Sequence, residues 1–156
     1  MRFRLSEIQQ PREFDAPVDA LDLELGFHFN ARVAPTRIAL KVTPRGSAHR
    51  MEGTFDYAAE LPCSRCLKEV SLKGRVEFLQ EYRPLERGKG PQEEIEVTPE
   101  DDFVVTYEDD AVSTDDLVRQ QLYLELPEKP LCREGCKGLC PQCGADRNET
   151  PCVCAP

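Results

Sequence analysis

Apolar and polar residues alternate along much of the first half of the chain. This two-residue period is typical of β-strands that bury one face, because successive side chains of a strand point to opposite sides. It predicts strands over residues 21–29, 38–42, 51–61 and 70–82, with shorter strands at 95–97 and 103–107. The two longest strands flank the segment from Cys63 to Cys66, which is therefore predicted to form the tip of a hairpin.

A single short helix is predicted over residues 114–125. Ser113 precedes it, and Asp115 and Asp116 lie in its first turn. A hydroxyl at this position can cap free backbone amides, and acids there meet the positive end of the helix dipole. Apolar residues recur at helical spacing until Pro127, which cannot continue the helix. Together these elements predict an α+β fold, predominantly an antiparallel sheet that is curved or barrel-like, with one covering helix.

The formal net charge of −9 is concentrated after residue 50. Between Gly90 and Val118 there is no lysine or arginine, and the acids there are Glu93, Glu94, Glu96, Glu100, Asp101, Asp102, Glu108, Asp109, Asp110, Asp115 and Asp116. Two interpretations stay open: a solvated face, or a docking surface for a basic protein that includes Glu100, Asp101 and Asp102. Non-specific binding to phosphate is disfavoured, because that affinity comes from lysine and arginine.

Cysteine is unusually frequent, with eight residues in the chain. No apolar run is long enough to span a bilayer, and the start lacks the apolar stretch of a signal peptide, so we expect a cytoplasmic protein. In that reducing compartment, cysteines are expected to be metal ligands or reactive thiols and not disulfides. Iron–sulfur clusters use other spacings, which makes zinc the expected metal, with two ions for eight thiolates.

The cysteines form one pair in the middle of the chain and a cluster of six in the tail. The candidate ligands are Cys63, Cys66, Cys132, Cys136, Cys140, Cys143, Cys152 and Cys154. A Cys-x-x-Cys spacing lets one turn present two thiolates to one tetrahedral ion. In the tail, Pro141 sets such a turn, and Gly144 can take the positive φ that points backbone N–H groups at the sulfurs. The spacing predicts zinc knuckles.

Proximity in the sequence indicates how the cysteines divide into two sites. One local group contains Cys140, Cys143, Cys152 and Cys154, and the other four would staple the hairpin tip to the segment after the helix. Cys136 and Cys140 can exchange between the groups, so the division stays open. We expect a β-rich main domain over residues 1–130, with a cysteine-rich, zinc-binding tail over 131–156 packed on it.

Few residues are suited to catalysis. His28 and His49 are the only histidines, and the motifs of serine hydrolases, zinc proteases and nucleotide-binding loops are absent. Four thiolates close the coordination shell of zinc, whereas a catalytic zinc keeps a position open for water. We therefore expect no enzymatic activity. One alternative is a thiol redox or oxidation-sensing zinc protein. Another is a nucleic-acid-binding zinc-ribbon module, which would be expected to have a basic sequence, whereas this one is acidic.

Several motifs together resemble one known family. They are Leu61-Pro62-Cys63-Ser64-Arg65-Cys66-Leu67, Leu124-Glu125-Leu126-Pro127, Gly138-Leu139-Cys140-Pro141-Gln142-Cys143-Gly144 and Cys152-Val153-Cys154. In their order and spacing, the chain resembles the YceD family of large-ribosomal-RNA-subunit accumulation proteins. The resemblance implies a cytosolic factor in large-subunit assembly, needed for accumulation of its rRNA and without an assigned enzymatic activity. A ribosomal protein or pre-ribosomal particle is then the expected partner, and direct rRNA contact through Arg65 and Lys68 is the alternative.

Overall fold

The computed structural model describes residues 1–25, 29–85, 103–150 and 152–154. Nine strands are defined: β1 (Arg2–Arg4), β2 (Arg12–Val18), β3 (Leu21–Leu25), β4 (Phe29–Val33), β5 (Thr36–Arg45), β6 (Ala48–Pro62), β7 (Glu69–Pro84), β8 (Val104–Tyr107) and β9 (Ala111–Ser113). One helix, α1, spans Thr114–Glu125, and a single 3₁₀ turn spans Leu5–Glu7. The predicted strand at 95–97 lies outside the described residues.

Seven strands form one sheet in which β6 is central. Strand β7 pairs with β6 along its length, while β5 and β4 pair with its other edge, β5 with the first part and β4 near the end. Strands β2 and β3 extend the sheet beyond β5 and β4. All these pairs are antiparallel, and only β8, beside β7, is parallel to its neighbour. Within the described residues the sheet has free edges and no closed barrel. The antiparallel fold with one helix is confirmed.

The pairing along one edge of β6 shifts by one residue where β4 gives way to β5. Val33 is paired with Ala59, and Ile38 is paired with Phe55. Four residues therefore lie between Val33 and Ile38, opposite three between their partners. Such a one-residue excess is a β-bulge, which bends the strand and increases its twist. Pro35 lies within this bulge. Because proline has no backbone N–H, it leaves no unpaired donor there.

The predicted strand over residues 21–29 is wrong in its length. Strand β3 ends at Leu25, and Phe29 begins β4, which pairs antiparallel with β3 so that these two residues face each other. The chain therefore forms two strands here. Apolar alternation continues through both arms of a hairpin, so the period alone cannot reveal the reversal.

Helix α1 has the predicted bounds and covers the sheet. Leu117, Val118 and Leu122 are almost fully buried and belong to the same core as the inward side chains of the strands. Arg119 also joins the helix to the sheet, since its guanidinium donates to the Asp22 carbonyl oxygen of β3 at 3.1 Å. No helix in the described part of the chain is long and apolar enough to cross a membrane.

The predicted cap of this helix is wrong. Ser113 is the N-cap residue, but its hydroxyl makes no capping hydrogen bond. Ser113 ends β9, which is paired with Arg2 of β1, so the start of the chain lies beside the helix terminus. The Thr114 backbone N–H donates to the Met1 carbonyl oxygen at 2.9 Å, and the Met1 ammonium donates to Thr114 Oγ1 at 2.8 Å. Strand pairing thus replaces the local cap.

The β6–β7 hairpin positions the first cysteines. Its register runs without a break from His49 opposite Tyr82 to Pro62 opposite Glu69. The predicted strands on either side of the cysteine pair are therefore confirmed, and the pair lies at the hairpin tip. The long paired arms fix the direction in which the tip projects.

Candidate metal centres

The hairpin tip folds as a tight turn around its two cysteines. The Cys63 N–H donates to the Lys68 carbonyl oxygen at 2.8 Å, and the Leu67 N–H donates to the Cys63 carbonyl oxygen at 3.0 Å. Leu67 reverses the chain with a φ of 61°. Cys63 is fully buried and Cys66 is 4% exposed. The turn thus directs both sulfurs away from solvent.

The segment after α1 completes a group of four, which we call the first cysteine group: Cys63, Cys66, Cys132 and Cys136. The Ser64 N–H donates to the Pro130 carbonyl oxygen at 2.8 Å, which attaches this segment to the tip. The Sγ atoms of Cys63 and Cys136 are 3.8 Å apart, and those of Cys66 and Cys132 are 3.6 Å apart. All four sulfurs lie within 4.8 Å of one another.

The remaining four cysteines form the second cysteine group: Cys140, Cys143, Cys152 and Cys154. Their sulfurs also lie within 4.8 Å of one another. The Sγ of Cys152 is 3.3 Å from that of Cys140 and 3.5 Å from that of Cys143. The structure therefore brings the cysteines together in the division that the sequence favoured, without exchange of Cys136 and Cys140.

Both groups fit a tetrahedral zinc ion. A Zn–S bond of about 2.3 Å in tetrahedral geometry places the sulfurs roughly 3.8 Å apart. The four sulfur separations of 3.3–3.8 Å lie at or slightly below this value. Among the described residues each group consists of four thiols without a carboxylate, and this donor set favours zinc or another thiophilic metal over calcium or magnesium.

The two Cys-x-x-Cys turns have the same backbone design. The Gly144 N–H donates to the Cys140 carbonyl oxygen at 2.9 Å, as Leu67 does to Cys63. Gly144 has a φ of 74°, close to the 61° of Leu67. The positive φ that the sequence assigned to Gly144 is confirmed. A leucine occupies the equivalent position at the hairpin tip, at a cost of about 1–2 kcal/mol that glycine avoids.

Proton affinities within the first group are uneven. Burial opposes ionisation of Cys63, but nearby backbone N–H groups, chiefly those of Arg65 and Cys66, outweigh it and lower the pKa of this thiol to about 6. A hydrogen bond with Cys66 and burial raise the pKa of Cys132 to about 12. The pKa of Cys136 is also lowered, and that of Cys66 is raised. A divalent cation would favour ionisation of all four sulfurs together.

The second group repeats this pattern. Backbone N–H groups of Cys143 and Gln142 lower the pKa of Cys140 to about 6. The Cys154 backbone N–H favours ionised Cys152, yet hydrogen bonds with the surrounding thiols, first that of Cys140, raise its pKa to about 11. Each group therefore contains at least one thiol of lowered pKa that could make the first bond to a metal: Cys63 and Cys136 in the first group and Cys140 in the second.

Arg65 and Lys68, which the sequence offered as RNA-binding residues, are engaged within the protein. The Arg65 guanidinium donates to the Cys136 carbonyl oxygen at 2.9 Å. The Lys68 ammonium lies 3.0 Å from Asp146 and 2.5 Å from Glu149. Hydrogen bonds to Glu149 and Asp146 hold the Lys68 pKa above its usual range. Both side chains fasten the tip to the tail.

Asn148 is a residue that the sequence reasoning missed. Its Nδ2 donates to the Cys136 sulfur at 3.5 Å and to Asp146 Oδ1 at 2.7 Å. Its Oδ1 accepts from the Lys137 backbone N–H and from the Arg133 guanidinium, both at 2.8 Å. The sequence signal that could have indicated this residue is an asparagine in a polar turn between cysteines. Asparagine side chains in such turns often form hydrogen bonds with nearby backbone groups.

The acidic stretch between Gly90 and Val118 lies only partly within the described residues. Glu100, Asp101 and Asp102 lie outside the described residues. Among the described acids, Glu108 and Asp109 are exposed. Asp110 is bound by the N-terminal segment: Ser6 Oγ donates to it, and the Arg4 guanidinium lies 3.3 Å away.

Comparison with known proteins identifies relatives. The family model described as "Large ribosomal RNA subunit accumulation protein YceD" matches residues 51–156, which contain all eight cysteines. An uncharacterized protein of Mycobacterium tuberculosis strain H37Rv is 35% identical over 89 residues, 57% of this chain and 40% of the relative. An uncharacterized protein of Mycobacterium leprae is 29% identical over 111 residues, 71% of this chain and 48% of the relative. The chain thus spans less than half the length of these relatives. No solved structure matches it.

Proposed function

Because the chain belongs to the YceD family of large ribosomal RNA subunit accumulation proteins, we propose that it is a non-enzymatic factor in assembly of the large ribosomal subunit. The family match over residues 51–156 is the observation that carries this proposal. We place the protein in the cytoplasm, where the large subunit is assembled in bacteria.

The two cysteine groups hold one structural zinc ion each. Support comes from the sulfur separations and from the donor set of four thiols at each site. Four protein ligands leave no position for a reacting water, which is the arrangement of a structural site and not of a catalytic one. When bound, zinc supplies the positive charge that keeps four neighbouring sulfurs ionised. In the first group it would join the hairpin tip to the post-helix segment.

The acidic stretch between Gly90 and Val118 is proposed to bind a basic partner, a ribosomal protein or a pre-ribosomal particle. Glu100, Asp101 and Asp102 are its candidate contacts. Ribosomal proteins are rich in lysine and arginine because they bind rRNA, so the charges are complementary. The internal ion pairs of Lys68 support a protein partner over direct rRNA contact at the hairpin tip.

Affinity purification from cells tests this function. The tagged chain is crosslinked, purified and analysed by mass spectrometry, beside a variant carrying Glu100→Lys, Asp101→Lys and Asp102→Lys. We expect large-subunit proteins or precursors with the natural chain and much weaker recovery with the variant. Equal recovery would reject the acidic surface, and recovery of no ribosomal component would reject the assembly function. A matched control reverses Glu13, Glu24 and Glu77, which are exposed on β2, β3 and β7.

The redox alternative has one observation in its favour. Cys132 and Cys143 are exposed, so an oxidant can reach one sulfur of each group. Thiol titration of the zinc-loaded protein before and after mild peroxide separates the two functions. An oxidation sensor would release zinc and form disulfides that thioredoxin reduces, whereas a structural protein would keep its zinc under these conditions.

A further inference from the structure

The two cysteine groups are not independent of each other. The loop between Cys143 and Cys152 leaves the second group and folds back against the first. The Arg147 N–H donates to the Gly138 carbonyl oxygen at 3.0 Å, and Leu139 pairs with Asp146 in an antiparallel bridge. These bonds place residues 146–149, which we call the return loop, beside the first group.

The return loop contacts both halves of the first group. From the tail side, Asn148 Nδ2 donates to the Cys136 sulfur. From the hairpin side, Asp146 and Glu149 bind the ammonium of Lys68, two residues after Cys66. A single short segment thus connects the two pieces of chain that supply the cysteines of the first group.

Asn148 is built to position the Cys136 sulfur. Lys137 and Arg133 donate to its Oδ1, which fixes the rotation of the amide and leaves Nδ2 facing the sulfur. The assignment of oxygen and nitrogen follows from these partners, since a backbone N–H must meet the oxygen. A donor to a ligand atom orients that ligand and stabilises its anionic form, and such partners commonly alter metal affinity by about 10–100-fold.

The return loop has little hydrophobic support of its own. None of residues 144–150 is buried. Ordering each residue costs about 1–2 kcal/mol of conformational entropy, which exposed polar contacts offset poorly. The loop is anchored at both ends by members of the second group, Cys143 and Cys152. A metal ion in that group would therefore hold the loop in the place where it contacts the first.

We propose that metal binding in the second cysteine group raises the metal affinity of the first through the return loop, with Asn148 as the positioning residue. The inference rests on the proposed zinc sites. Linkage makes the effect reciprocal, so an ion in the first group, by docking the loop, also favours binding in the second.

The test measures cadmium and zinc affinities of the full chain, with cadmium NMR to separate the two sites and a chromophoric chelator to compete for zinc. The double variant Cys143→Ser/Cys152→Ser disables the second group. We expect it to bind one ion, with first-site affinity at least about 10-fold weaker than in the natural chain. Asn148→Ala should weaken the first site by a similar factor. Asn30→Ala, an exposed asparagine on β4, is the matched control and should change neither site.

The combined variant decides whether the effect passes through Asn148. Adding Asn148→Ala to the double variant should weaken the first site by less than twofold further, because the loop is already undocked. Multiplicative effects would show that Asn148 acts locally and would overturn the proposal. Unchanged first-site affinity in the double variant would also overturn the proposed coupling. If the natural chain still binds two ions in that case, the proposal of two zinc sites is unaffected. A natural chain that binds no zinc rejects the sites themselves.

Discussion

Gly138 lies against the backbone of Arg65. A Cβ atom on Gly138 would stand 2.9 Å from the Arg65 carbonyl oxygen, and the following N–H, that of Leu139, donates to this same oxygen at 2.9 Å. Gly138 also has a φ of 72°. The hairpin tip and the tail are therefore in direct backbone contact, at a position where only glycine fits without strain.

Substituting Gly138 should weaken this contact. Gly138→Ala adds about 1–2 kcal/mol of left-handed backbone strain, together with a collision against a backbone oxygen that cannot swing away. We expect a lower unfolding temperature and faster release of zinc from the first cysteine group. Gly135→Ala is the control, because a Cβ at Gly135 meets nothing within 4 Å. Equal effects of the two substitutions would contradict the close packing.

Leu67→Gly should stabilise the protein slightly. Leu67 has a φ of 61° and is 60% exposed, so glycine removes backbone strain while losing little buried area. The gain is expected to be below about 1 kcal/mol, since glycine also has a more flexible unfolded state. Urea unfolding of the zinc-loaded protein measures it. Leu67→Ala keeps the strain and should give no gain; a gain as large as that of glycine would exclude the strain explanation.

Removal of metal should affect the tip and tail and spare the sheet. The main core, which includes Leu23, Ile38 and Met51, is separate from the small cluster of Cys63, Cys66 and Cys136. After chelation we expect amide exchange to accelerate over residues 63–68 and 131–154 and to stay slow in β5 and β6. Hydrogen exchange with mass spectrometry makes this measurement. Global loss of protection would contradict the predicted division into a main domain over 1–130 and a tail over 131–156.

Charge reversal at Lys68 separates an internal role from RNA binding. Lys68→Glu would place an acid beside Asp146 and Glu149 and should weaken tail docking, seen as faster zinc release. Lys73→Glu changes an exposed lysine on the same hairpin and should leave zinc release unchanged. If the tip binds RNA, both variants should lose RNA affinity, measured at two salt concentrations. Loss of RNA binding in both variants, with zinc release unaffected, would refute the internal role.

Acid should loosen the N-terminal segment through Asp110. The Ser6 hydroxyl donates to this carboxylate, and with help from Arg4 it holds the Asp110 pKa below its usual value. A carboxyl group with a lowered folded-state pKa stabilises the fold above its unfolded pKa, and this contribution disappears as the pH falls through the folded value. As the pH drops below about 4, the ordinary pKa of an aspartate, the urea midpoint should therefore fall less steeply in Asp110→Asn than in the natural chain. Identical profiles of both proteins would exclude this contribution.

The sequence predicted the features that depend on local patterns. Alternation located the arms of the long hairpin, and helical spacing ended by Pro127 located α1. Cysteine spacing favoured the observed division, because the second group is local to the tail, but it left open whether Cys136 and Cys140 exchange. The hairpin arms, the helix and the second cysteine group require no knowledge of how distant segments pack.

Features that depend on tertiary contact were missed. The function of Ser113 as a cap was overridden by pairing of β1 with β9, a contact between segments that are far apart in the sequence. Asn148 contacts Cys136 only because the return loop folds back, and Lys68 pairs with Asp146 and Glu149 for the same reason. No periodicity in the chain encodes these contacts. Lys68 was predicted as a possible RNA contact only because its side chain is positively charged.

The two cysteine groups close loops of very different length, which bears on the order of events during synthesis. Cys140 and Cys152 are 12 residues apart, whereas Cys63 and Cys136 are 73 apart. Closing the longer loop costs about 1.6 kcal/mol more, at roughly 0.6 kcal/mol for each doubling of length. A nascent chain with its hairpin already formed must keep Cys63 and Cys66 open until the tail emerges from the ribosome. Closure of the first site thus requires that the segment carrying Cys132 and Cys136 has left the ribosome.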